Sequence, residues 1–172
     1  MFAPKRGFMQ DANAIRWPDR YHPAHCPIHV SNELAMAAPI EAVWAWLIRA
    51  PLWPSWYPNS ANVRFLAGAP PDLALGTRFR WKTFGVTITS SVRELVPCER
   101  IAWDAHALGL DVYHAWLLQR TPGGCHVLTE ETQHGWVACA GALLMPGRMH
   151  RYHQIWLERM RDQAQSGMPP PA

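Results

Sequence analysis

A chain of 172 residues fits one domain and buries about 70% of its unfolded surface on folding, so it can build a core without disulfides. It is 49% hydrophobic and 17% charged with ten Trp, an aromatic-rich, charge-poor composition in which part of the aromatic surface is expected to line a cavity. The net charge of +3 comes from arginines that stand singly or alternate with apolar residues, and without a basic stripe nucleic acid is not an expected partner.

Residues 1–27 hold Pro4, Pro18, Pro23 and Pro27 with little periodicity, the mark of an irregular arm, here anchored by Trp17 and Tyr21. Lys5 and Arg6 have no apolar run behind them, because Gln10, Asp11, Asn13 and Arg16 interrupt it, so no signal peptide is expected. From Ile28 a period of two places Val30, Asn32, Leu34 and Met36 on one face of a first strand. Pro39 opens a short helix to about Ala50, with Ile40, Val43 and Leu47 on one side, and the prolines of PLWPSWYP then allow only a helical turn or loop.

Six strands follow. Val63 and Phe65 alternate with Asn62 and Arg64 in the first of these, and Phe79, Trp81 and Thr83 alternate with Arg78, Arg80 and Lys82 in the next, which turns at Phe84 and Gly85. Ile88, Ser90 and Val92 share a face before Pro97; Ile101, Trp103 and Ala105, then Val112, His114, Trp116 and Leu118, then Val127, Thr129 and Glu131 mark the last three strands. After Gly135 the period becomes helical, with Met145, Met149, Tyr152, Trp156 and Met160 in one stripe that Pro146 and Gly147 either kink or start anew. The tail, residues 166–172, is expected to be disordered. The uncharged run 136–145 is far shorter than the roughly 20 residues of a membrane span. Cys26, Cys98, Cys125 and Cys139 are too scattered for a disulfide framework, which points to a cytoplasmic setting.

Turn lengths allow cross-strand partners to be counted. A loop at 121–124 sets Arg120 opposite Cys125 and His114 opposite Glu131, and a loop at 107–110 sets Trp103 opposite His114. A His114–Glu131 pair among aromatic walls is a candidate general acid/base or ligand-orienting dyad; against this stands a purely structural hydrogen-bonded pair. Phe79, Trp81, Ile88, Val92, Trp103 and Trp116 share that face, and Thr83, Ser90 and Thr129 could orient a carbonyl or hydroxyl. From the last helix, Met149, Tyr152, His153 and Trp156 complete the expected ligand contacts. Metal binding is not expected: His22, His25, Cys26 and His29 of HPAHCPIH are stiffened by Pro23 and Pro27, and His150 with His153 reads as a rim pair. Without a nucleophile elbow, phosphate loop or HExxH motif, no cofactor is expected.

The sequence resembles the START-like superfamily, also called SRPBCC, in APIEAVWAWL, WPSWYP, LGTRFRWKTFG, SSVRELVPCERIAW, YHAWLL, TEETQHG and WLERM, whose order spans residues 28 to 163. That superfamily includes polyketide cyclases, lipid-transfer domains and the birch pollen allergen family. The resemblance implies an α+β helix-grip domain over residues 28–165: a seven-stranded curved antiparallel sheet around a long C-terminal helix, two short helices after the first strand, and a tunnel for an apolar ligand. Three functions are compatible with it: binding a small aromatic or polyketide-like molecule, a cyclase or dehydratase using His114 or Glu131, and a regulatory partner-binding module with a filled cavity. Nothing in the sequence sets the oligomeric state.

Overall fold

The computed structural model describes residues 14–171; the first half of the arm lies outside them. Seven strands, β1 (Ile28–Met36), β2 (Ala61–Ala67), β3 (Arg78–Thr83), β4 (Val86–Val96), β5 (Arg100–Ala107), β6 (Leu110–Thr121) and β7 (Gly124–His134), form one antiparallel sheet. Its order is β1-β7-β6-β5-β4-β3-β2. Each hairpin from β2 to β7 therefore joins sheet neighbours, and only β1 crosses to the far edge. Among the described residues, four α-helices accompany the sheet, α1 (Ile40–Ile48), α2 (Trp53–Trp56), α3 (Trp136–Leu144) and α4 (Arg148–Ser166), besides three short 3-10 turns. This is the seven-stranded α+β helix-grip arrangement expected, with α4 lying against β1 and α1.

Alternation sets the inner face. In β3, Phe79 and Trp81 are buried while Arg78, Arg80 and Lys82 are exposed. Phe84 and Gly85, both at positive φ, make the tight turn to β4, a geometry that matches the twist of the paired strands and that Gly85 adopts without steric cost. The short turns after β5 and β6 put Trp103 opposite His114 and His114 opposite Glu131. Inside the curve, Trp53 of α2 is fully buried and packs against the rings of Phe79, Trp81, Trp103 and Trp156. Aromatic rings thus fill one end of the sheet's interior.

The apolar stripe after Gly135 is not one helix. Pro146 has no N–H to continue the ladder and Gly147 takes a left-handed conformation (φ 73°), so α3 stops and α4 starts afresh, leaving Met145 between them. On the outer face, Tyr21 stacks on Tyr113 at 5.3 Å and donates to Asp111 Oδ1 at 2.7 Å, while Trp17 lies 5.8 Å from Tyr113. Tyr21 thereby forms a small outer cluster with Ala102, Tyr113 and Ala115, Arg100 donates to Ala14 O at 2.7 Å, and the central strand β5 is buried on both faces from Arg100 to Ala105. Of the tail, residues 166–171 are described. Gly167 O accepts from the Trp46 indole at 2.8 Å and Pro170 O from Arg49 at 2.7 Å, so the backbone after α4 is tied to α1. No described helix is long and apolar enough to cross a membrane.

Candidate functional site

A cavity of about 510 Å³ lies between the concave face of the sheet, α3 and α4. Of the sheet residues expected to face a ligand, Trp81, Thr83, Ile88 and Trp103 line it, together with His114 and Glu131. From α4 the lining includes Met149, His153 and Trp156. The other expected contacts do not reach it. Phe79, Ser90, Val92, Trp116 and Thr129 are buried on the correct face, but the Trp53 plug takes up that end of the interior. There Ser90 Oγ accepts from the Trp81 indole at 3.0 Å. Tyr152 turns aside to pack edge-on against Phe84 at 5.5 Å.

Several lining residues were not anticipated. Tyr57, which ends α2, stacks on Trp156 at 4.4 Å and closes the floor. Gln133 extends the Glu131 face of β7 by one period and could have been found by parity alone. Val137, Gly141 and Leu144 come from α3, and only the break at Pro146 lets that helix fold back over the opening. Its Trp136, Leu143 and Leu144 also present exposed surface.

The polar pole is built from β6, β7 and α4. His114 Nδ1 stands 3.0 Å from Glu131 Oε2, and its Nε2 stands 2.8 Å from Thr129 Oγ1. Gln133 donates from Nε2 to the other carboxylate oxygen, Glu131 Oε1, at 2.5 Å. His153, expected among the ligand contacts at the cavity mouth, lines the cavity and is 1% exposed. Its ring stacks on His114 at 4.8 Å, and its Nε2 lies 3.4 Å from Glu131 Oε2 without hydrogen-bond alignment. His150 is exposed yet also borders the cavity, so the spacing of three on α4 buries one imidazole and leaves the other at the edge. One donor atom each from His114, Glu131 and His153 fall within 4.8 Å of one another. In the arm, by contrast, His25 Nδ1 meets Asp19 O at 2.9 Å and Cys26 Sγ meets His134 Nε2 at 3.0 Å.

Burial pushes the His114 imidazole down to about 3, against the opposing pull of Glu131. Burial acts to raise the Glu131 carboxyl, but His114, His153 and Gln133 outweigh it and hold the group low, at about 2. The two directions agree in one state near neutral pH: a neutral imidazole beside an ionised carboxylate. Such a pair can accept a proton at the carboxylate or hold a hydroxyl in register, in surroundings where Trp103 and Trp116 pack on the imidazole at 5.0 and 5.1 Å.

A sheet that grips a helix over an aromatic cavity is also what comparison with known proteins returns. A match to the family described as polyketide cyclase / dehydrase and lipid transport runs over residues 27–165. The chain belongs to this family. Among solved structures, it is similar to the hypothetical protein jhp0584 from Helicobacter pylori at 33% identity and a TM-score of 0.82, over 91% of this chain and 99% of that one. The di-domain ARO/CYC StfQ from the steffimycin biosynthetic pathway shares the fold at 16% identity and a TM-score of 0.64, over 80% of this chain and 51% of that one. DynU16 from the dynemicin biosynthetic locus does so at 17% identity and a TM-score of 0.57, over 82% and 48%. The chain thus spans about half the length of these last two. No curated protein matches it.

Proposed function

We propose that the protein binds one small, largely apolar molecule, aromatic or polyketide-like, with an oxygen held at the His114–Glu131 pole. The observation that carries this reading is the cavity itself. Its volume of about 510 Å³ falls in the usual range for small-molecule sites, and a few polar groups converge at one end of an apolar wall. The Trp156 indole N–H, buried without a partner among the described residues, adds a donor that a ligand oxygen would satisfy. Membership of a family described by polyketide cyclisation and lipid transport supports the same ligand class. A module with a filled interior fits this cavity poorly.

A second reading makes the protein a cyclase or dehydratase, and the neutral imidazole beside an ionised carboxylate favours it. Glu131 would take a proton from carbon next to a carbonyl, and His114 would relay or return it. The shared fold of StfQ, a di-domain ARO/CYC, is compatible with this reading. Mass spectrometry of molecules released on denaturing the purified protein tests the binding reading: an apolar aromatic compound near one per chain is expected. Release of only polar metabolites at that stoichiometry would contradict it. With a ligand in hand, His114→Phe that lowers affinity alone supports binding, and a loss of turnover at retained affinity supports the enzyme.

A further inference from the structure

His153 is buried, yet neither ring nitrogen has a hydrogen-bond partner among the described residues, an arrangement that is costly for an imidazole. Its Nε2 stands 3.4 Å from Glu131 Oε2, the atom that also faces His114 Nδ1 at 3.0 Å. Three atoms able to offer lone pairs, one each from β6, β7 and α4, therefore lie within 4.8 Å of one another.

On the far side of His114, Thr129 can serve either tautomer of the ring. Thr129 Oγ1 lies 3.3 Å from Ala115 O and meets His114 Nε2 at 2.8 Å. A hydroxyl has one proton to give. Two arrangements fit: with the hydroxyl proton on Nε2, Nδ1–H donates to Glu131, and with it on Ala115 O the imidazole donates from Nε2 and offers a lone pair at Nδ1, the form a metal ion would take. Without an ion, Nδ1–H donates to the carboxylate at 3.0 Å, and an ion would displace that proton.

We propose that His114 Nδ1, Glu131 Oε2 and His153 Nε2 bind a single divalent transition metal ion of the zinc type, with an open coordination position toward the cavity. Zinc bonds of about 2.0–2.2 Å set tetrahedral donors roughly 3.3 Å apart, close to the 3.0 and 3.4 Å of the two pairs that include Glu131, while the two imidazole donors, within 4.8 Å of each other, would draw together on an ion. Two imidazoles and one carboxylate with a free position form a familiar donor set for such ions. The outer contacts fit as well. With an ion on Nδ1, Thr129 would receive the distal N–H of His114 at 2.8 Å, and Gln133 holds Oε1, leaving Oε2 to the ion. No spacing motif announces the site, because its ligands come from three separate elements. It stands apart from the apolar-ligand reading, since an ion needs only these three side chains.

The test uses tag-free full-length protein, stripped with a chelator and titrated with Co²⁺ and Zn²⁺ alone. One ion per chain is expected, with visible Co²⁺ bands of a low-coordinate nitrogen and oxygen site that Zn²⁺ abolishes. Thr129→Val should weaken binding about 10- to 100-fold, and His153→Ala by more than that. The arm variant His25→Ala/Cys26→Ser should leave it unchanged. His153 makes no hydrogen bond whose loss would unfold the chain, and circular dichroism checks each variant. A folded wild type that takes up no stoichiometric ion would overturn the proposal, as would affinity that survives His153→Ala or is lost in the arm variant.

Discussion

His114→Phe keeps a ring in the wall but removes both imidazole nitrogens. Glu131 Oε2 then loses its partner at 3.0 Å, while Gln133 stays on Oε1 and Thr129 keeps its bond to Ala115 O. Breaking a buried pair by removing one member costs about 3–5 kcal/mol, and the remaining Gln133 contact places this case near the lower end, about 3 kcal/mol. Glu131→Leu leaves only a neutral imidazole short of one partner, a loss of about 2 kcal/mol. Removing both together strands neither, so the double variant should cost no more than His114→Phe alone. That is a coupling of about 2 kcal/mol. Urea unfolding at pH 7 in the presence of a chelator, followed by circular dichroism, measures all four proteins, and equal urea slopes confirm comparable transitions. Single-variant costs that simply add would refute the idea that the two side chains support each other.

The pH dependence has a definite sign. His114 sits at about 3 in the fold against 6.5 ordinarily, and Glu131 at about 2 against 4.5. In both cases the unfolded chain takes up the proton first, so stability is full above pH 6.5 and falls on acidification, through His114 first and Glu131 below about pH 4.5. Urea midpoints should therefore drop between pH 6.5 and 5, and less steeply in His114→Phe; equal slopes would remove His114 as the cause. Trp53→Ala should cost about 3–5 kcal/mol and enlarge the cavity toward Phe79, since Trp53 is fully buried among four aromatic rings; a loss under about 1 kcal/mol would show that the plug collapses without it. Tyr21→Phe removes the 2.7 Å bond to Asp111 but keeps the stacking, and should cost about 1 kcal/mol. A denaturation midpoint identical to wild type would show that the arm's hold on the sheet is stacking alone.

The strands were legible because alternation and turn length are local. Arg78, Arg80 and Lys82 against Phe79 and Trp81 declared a face, and two short loops fixed the row Trp103, His114, Glu131. Parity reports the face of a strand but not the depth along it. Phe79, Val92, Trp116 and Thr129 therefore point inward without reaching the cavity, since how far Trp53 fills the interior depends on packing across the domain. The same limit applies to α4. Its stripe identified Met149 and Trp156, but the rotation that carries His153 inward and Tyr152 aside is set by Tyr57 stacking on Trp156 and by Phe84 at the β3–β4 turn. The role of α3 as a cavity wall was hidden because its apolar residues continue the α4 pattern, and only the backbone at Pro146 and Gly147 separates them.

The central claim is that a small aromatic molecule enters the cavity and meets its polar pole. Titrating isotope-labelled protein with 1-naphthol, a fused-ring probe with one hydroxyl, while following assigned indole N–H signals and the His114 ring by NMR, addresses it directly. Saturable shifts at Trp81, Trp103, Trp156 and His114, with Trp17 and Trp46 unmoved, are the predicted result. Saturation that shifts Trp17 or Trp46 and spares the cavity indoles, or no shift up to the probe's solubility limit, would contradict it.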